Sequence, residues 1–209
     1  MRETGILFRR PMVQAIRDKR KSQTRRIVTD KDLSRLGLER HGDYIYTTEG
    51  PQWDGTFEGG KIPWSRYGLP GDRLWVREKW RLPGAHWDTK LASYGDNASL
   101  FFKDMVCYAA DENEDDYEGT YRPSIFLPRW ASRITLEITK VAIERLHDLS
   151  HEDAIAEGFQ GQGWKVSDDK SPIVYPCHEF RDLWKKLNGE SSWNLNPWVW
   201  VLSFKRVEA

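Results

Sequence analysis

The stretch SRITLEITKVAIERL, Ser132 to Leu146, decides the reading of the fold. Ile134, Leu136 and Ile138 alternate with polar neighbours, the period of a strand with one buried face. The apolar set then moves to Val141 and Ile143, a slip of one residue. Because side chains alternate strictly in a strand, such a slip requires a bulge or a sharp bend. A bend of that kind lets a sheet close into a barrel. Downstream, Ser150 with Asp153 makes a capping box, predicting a short helix that runs to Glu157 and stops at Gly158. Phe180, Leu183, Trp184 and Leu187 have helical spacing, ended by Asn188-Gly189, and Trp198 to Val207 alternates again.

Upstream, Gly71-Asp72 opens a strand from Arg73 to Trp80 in which Leu74, Val76, Glu78 and Trp80 share a face. Gly5 to Phe8 reads as a short strand. Pro11 starts a helix whose apolar residues are Met12, Val13, Ala15 and Ile16, ending near Lys19. Thr24 to Val28 is extended. The stretches 29–70, 81–123 and 159–178 read as loop-like insertions, punctuated by Gly59-Gly60, Pro63 and Pro70. The expectation is one α+β domain over 1–209, a closed mixed β-barrel with a few peripheral helices and long loop insertions, and not a parallel βαβ fold.

Composition limits the classes. The 209 residues can bury a core, and 13% aromatics with 11 Trp argue against disorder despite a mean hydropathy of -0.72. No apolar run approaches the roughly 18 residues of a membrane helix, and MRETGILFRRP is too short in apolar residues for a signal peptide. Cys107 and Cys177 make no disulfide framework and match no zinc spacing. The expectation is a soluble, cytoplasmic protein with no membrane partner; oligomeric state is left open.

The formal net charge is zero, but it is unevenly spread. Arg9, Arg10, Arg17, Lys19, Arg20, Lys21, Arg25 and Arg26 stand against Asp18 alone, a local net charge of +7. Asp111 to Glu118 carries six acids and no base. The basic segment can attract phosphate or can be an exposed helix face; the acidic one is a solvated loop. No G-x-G-x-x-G, P-loop, H-E-x-x-H or EF-hand pattern is present, and the five histidines lack ligand spacing. Neither metal nor cofactor is expected.

Lys21-Ser22-Gln23-Thr24-Arg25-Arg26, following a short strand and helix, resembles the signature G-x-K-x-x-[ET]-x-R of the ASCH domain, a PUA-like β-barrel family. Lys19 stands where that family has its glycine. The resemblance extends to Gly71 to Glu78, the strand after Arg133, Leu149 to Phe159 and the final strand, leaving the insertions unmatched. PMVQAI before the motif and RWASRITLEIT later are similar to ASCH proteins of bacteria and phages. It implies a PUA-like barrel. Threonine at position 24, where much of the family has glutamate, points toward the branch of small amidohydrolases that remove acyl groups from the N4 amine of cytidine. By that resemblance Lys21, Thr24 and Glu157 are the catalytic set, and the partner is a nucleoside. The alternative is an RNA- or modified-base-binding module, or a ribonuclease, using the same pocket.

Two mechanisms fit those residues. Lys21, its pKa depressed by burial and by Arg25 and Arg26, takes the Thr24 proton for attack on the acyl carbon, and Glu157 protonates the leaving amine. Alternatively, Glu157 activates water while Lys21 stabilises the oxyanion. Each residue also has an ordinary reading. A lysine is comfortable near a helix C-terminus, threonine is common in strands, and Glu157 can be a solvated helix-end acid. Ser22 and Arg26 are further candidates for substrate contact. So is Glu78, whose expected partner as a buried acid is Arg26 or Lys21. Trp75 can sit in the core or stack a pyrimidine.

Overall fold

Five strands, β1 (Glu3–Leu7), β2 (Gln23–Ile27), β5 (Arg73–Arg77), β8 (Thr135–Arg145) and β9 (Trp198–Val207), form one mixed sheet in the order β1-β5-β8-β9-β2. Only β1 and β5 are parallel. The computed structural model describes residues 1–42, 44–48, 52–55, 57, 61–82, 94–111, 121–161 and 175–207. Apart from Asp111, the acidic block lies outside them, as do 83–93 and 162–174 of the expected insertions.

The slip in β8 is a bulge. Ile138 pairs with Phe204 and Lys140 with Ser203, so Thr139 has no partner on β9. Before it, Ile134, Leu136 and Ile138 face a core shared with Ile6, Phe8, Leu74 and Val76, closed by Val13 and Ile16 of α1 (Arg10–Arg17). After it, Ile143 joins Trp200, Val28 and Leu33 in a second cluster. The extra residue thus lets one strand serve two cores. Each large apolar side chain buried this way contributes about 1.5–3 kcal/mol.

The expected alternation of β9 is only half of its character. Trp200, Leu202 and Phe204 fill these two clusters, while Val199 and Val201 pack under Phe180 and Trp184 of a later helix. Covered on both faces, the strand reads as an apolar run. The expected strand Arg73 to Trp80 is interrupted: β5 ends at Arg77, and Trp80 opens β6 (Trp80–Arg81), which pairs with β7 (Cys107–Tyr108). The stretch 29–70 is more ordered than its loop-like sequence suggests. It holds α2 (Asp30–Arg35), capped by a Thr29–Asp32 box, and a hairpin of β3 (Leu38–His41) and β4 (Tyr44–Thr47). Within 81–123 lies α3 (Ala98–Phe102). The two downstream helices are α4 (His151–Ala156), capped by Ser150 and Asp153 as expected, and α5 (Pro176–Asn188).

Two local features shape the surroundings of the K-x-x-T-x-R motif. Lys19, in the turn from α1 to β2, has φ +61°, the left-handed region that glycine adopts without strain. This is the position at which the resembling family carries glycine. Lys19→Gly is therefore expected to raise stability by about 0.5–1 kcal/mol in urea denaturation; an unchanged or lower midpoint would show that the turn carries no such strain. Secondly, β1 and β2 are the two edges of the sheet, and Arg26 Nη2 donates from one to Leu7 O of the other at 2.9 Å.

Candidate functional site

The turn after α1 aims Lys21 under the end of α4. Lys21 N–H bonds Ala15 O, Ser22 N–H bonds Ala156 O, and Phe204 N–H bonds Ser22 O, so helix, turn and β9 are stitched together by backbone. At Gly158, with φ +100°, an added Cβ would meet Ala15 Cβ at 2.9 Å and Lys21 Cβ at 3.2 Å. Glycine is what allows α4 to end this close to Lys21.

The lysine Nζ makes three donations, to Gln23 O (2.7 Å), Glu157 O (2.8 Å) and Glu157 Oε2 (2.6 Å). An ammonium has three protons, so its donor capacity is filled. Its place against the last carbonyls of α4 is electrostatically favourable. The pair is closed to solvent, with side chains 1% and 5% exposed. Burial pushes the Lys21 pKa down, the Glu157 carboxylate pulls it up, and Arg26 and Arg25 push it down again; the net shift is downward. Glu157 Oε1 is buried and has no hydrogen bond. Arg25 Nη1 lies 3.7 Å from it.

Strand parity then divides the motif. Thr24 and Arg26 share one face of β2: Arg26 Nη1 donates to Thr24 Oγ1 at 2.9 Å, leaving the threonine proton uncommitted. The Phe8 ring ties this face to the lysine, lying 5.2 Å from Arg26 Cζ and 5.6 Å from Lys21 Nζ. No hydrogen bond joins Lys21 Nζ to Thr24 Oγ1 among those of the two residues. Arg25 points the other way and is wholly buried, reaching Gln23 Oε1 (2.6 Å), Asp153 Oδ2 (2.9 Å) and Glu144 Oε2 (3.5 Å). Lys21, Thr24, Glu157 and Arg26 are thus brought together.

The remaining candidates lie elsewhere. Ser22 is exposed, and its backbone bonds are structural. Trp75 is buried on the face of β5 opposite Leu74 and Val76; its ring lies 4.3 Å from the Arg77 guanidinium and 6.0 Å from that of Arg129. Glu78 is buried as expected, but it pairs with Arg133 through two 2.9 Å bonds rather than with Arg26 or Lys21. The reason is register: antiparallel β5–β8 pairing carries Glu78 alongside the start of β8, whereas Arg26 is on the far edge strand. Arg133 also holds Asp111, which in turn holds Arg17.

Two residues of the site are not evident from the sequence. Arg25 sits inside the motif, yet its role as partner of α4 depends on tertiary packing. Tyr67, half-buried and with its pKa raised by burial, lies within electrostatic reach of Arg26, and no periodicity or motif marks it. The basic segment is not one surface patch. Lys21 and Arg25 are interior, Arg17 pairs with Asp111, and Arg20 with Asp18. Among the described residues no group of three or more His, Cys, Asp or Glu is arranged to hold a metal, and no helix is long and apolar enough to cross a membrane.

The ion pairs around the site set an acid limit. Burial alone would raise the carboxyls of Asp32, Asp111 and Asp153. Bonds from Thr29 and Arg66, from Arg133 and Arg17, and from Ser150 with the charge of Arg25, respectively, outweigh burial and hold all three below the ordinary value. Depressed carboxyls bind fewer protons folded than unfolded. Their stabilisation is therefore full above the unfolded value of about 3.9 and is lost as pH falls through the folded values. Urea midpoints are expected to decline steadily below about pH 4, and a flat midpoint from neutrality to pH 3 would contradict these pairings.

No protein-family description, curated protein or solved structure matches the chain.

Proposed function

We propose that this chain is a PUA-like barrel of the ASCH type and a metal-independent amidohydrolase that removes the acyl group from N4-acylated cytidine or cytosine. One observation carries the reading: Glu157 is locked to Lys21 through Oε2 while its Oε1 is buried without a hydrogen bond. Buried polar atoms are rarely left unpaired without a reason. An uncommitted carboxylate oxygen there is fitted to take a proton from water.

Of the two mechanisms, this geometry favours water attack. Lys21 has its three protons engaged and no bond to Thr24, so it is poorly arranged to deprotonate the hydroxyl. Glu157 Oε1 accepts one proton of water as the hydroxide oxygen adds to the acyl carbon. The Thr24 O–H and the positive charges of Lys21 and Arg26 stabilise the resulting oxyanion. Glu157 then returns the proton to the cytosine N4 as the C–N bond breaks, releasing a carboxylic acid and the free amine. Hydrolysis requires no further reactant.

The alternative, an RNA- or modified-base-binding module or ribonuclease, draws its support from the basic segment, and four of those eight cations are interior or paired with acids. The test is an ultraviolet assay of purified protein with N4-acetylcytidine. Release of cytidine and acetate, insensitive to salt, is the expected result. Inactivity across several N4-acyl cytosines and cytidines would overturn the reading; RNA binding that weakens steeply with salt would replace it.

A further inference from the structure

An open groove of about 400 Å³ runs between α1, the turn after α4 and the start of α5. Its size falls in the range of about 300–1,000 Å³ usual for small-molecule sites. It begins at Gly158, the residue after Glu157 in the chain and the one packed on Lys21. Met12 and Phe159 give it an apolar lining, each also packed on a core cluster and so fixed in place.

Three of its polar side chains, Gln14, Glu179 and Arg20, are anchored by part of their hydrogen-bonding capacity, and Gln160 at its rim is exposed. Gln14 Nε2 donates to Ala110 O at 3.3 Å, leaving its Oε1 to accept. Glu179 Oε2 accepts from Gly161 N–H at 3.0 Å, leaving Oε1. Arg20 donates to Gly158 O and to Asp18 Oδ2, which matches its charge. Among the described residues no cation pairs with Glu179. Beside the apolar lining, the anchored side chains thus offer two free acceptors and, among the described residues, one unmatched negative charge. A ribose, with hydroxyls to donate and no charge, fits that chemistry; a phosphate, an anion with no uncommitted cation to meet it, does not.

We infer that this groove is the subsite for the sugar of an uncharged nucleoside, with Glu179 the residue that discriminates against a 5′-phosphate. The inference deepens the amidohydrolase reading and rests on it for the identity of the base. With the acyl amide at Glu157, the sugar lies along the groove, and Glu179 and Gln14 accept from its hydroxyls.

The experiment is a calorimetric titration of cytidine and cytidine 5′-monophosphate into the full chain and into Glu179→Gln and Glu179→Lys, with N4-acetylcytidine hydrolysis followed on the same preparations and folding checked by thermal melting. The parent is expected to bind cytidine at least about tenfold more tightly than the monophosphate. Glu179→Gln should narrow that ratio and Glu179→Lys should invert it, since a like charge facing an anion becomes an opposite one. Binding of neither ligand, equal binding of both, or a ratio unmoved by the two substitutions would overturn the inference. The failures are separable. A parent that hydrolyses but is indifferent to Glu179 keeps the chemistry and loses the groove; one that binds selectively through Glu179 yet never hydrolyses keeps the groove and loses the chemistry.

Discussion

Glu157→Gln is expected to lower turnover of N4-acetylcytidine by about 10²- to 10⁴-fold, the usual contribution of a positioned general base. The carboxamide is nearly isosteric and can still offer its oxygen to Lys21, but it cannot take a proton from water. The loss should fall on kcat more than on KM, because binding of the acyl nucleoside does not require the proton transfer. Glu152→Gln, on the exposed side of the same helix, is the control. A loss smaller than tenfold with Glu157→Gln would remove it from the proton-transfer step. Retained activity in Thr24→Ala would at the same time exclude the rival route through a threonine nucleophile.

The second large effect is on stability. Removing one member of a buried ion pair leaves a charge without compensation and typically costs about 3–5 kcal/mol. The two members are not equivalent here. Lys21→Met leaves Glu157 with Arg25 still 3.7 Å from Oε1. Glu157→Leu leaves a buried lysine beside Arg25 and Arg26, both pushing its proton off. Glu157→Leu should therefore be the more damaging change at pH 7. It should also recover as pH rises: the folded protein holds Lys21 less protonated than the unfolded chain does, so stability increases with pH up to the unfolded lysine value of about 10.4. The double variant Lys21→Met with Glu157→Leu should lose less than the two single changes together. Urea denaturation at pH 7 and pH 9.5 reads both effects; strict additivity and an absence of pH recovery would mean that the pair is not coupled.

Local signals in the sequence are legible where the physics is local. The parity change between Ile138 and Val141 requires a bulge in any strand with a buried face, and Thr139, unpaired on β9, is that bulge. Ser150 and Asp153 cap a helix because the hydroxyl and carboxylate reach backbone N–H groups within one turn. The same box at Thr29 and Asp32 is equally visible, but the glycines and prolines downstream of it make the whole segment read as loop. Parity fails where a strand stops. Counting from Leu74 carries Glu78 inward correctly, but its partner is set by register with β8, which no single strand encodes. Likewise, Lys21 and Thr24 stand out through their motif spacing, whereas the placement of Arg25 against Asp153 and Glu157 exists only once α4 has docked on β2.

The distance between Lys21 and Glu157 along the chain bears on how the protein is made. Lys21 leaves the ribosome 136 residues before Glu157. The lysine turn is held by the Phe204 N–H of β9, which bonds Ser22 O. Until that strand inserts between β8 and β2, the edge carrying Lys21 and Thr24 has no neighbour in the sheet. A chain that lacks β9 therefore cannot hold β2 in the sheet. A chain cut before β9 would carry the Lys21 and Thr24 motif without the packing that holds it against Glu157.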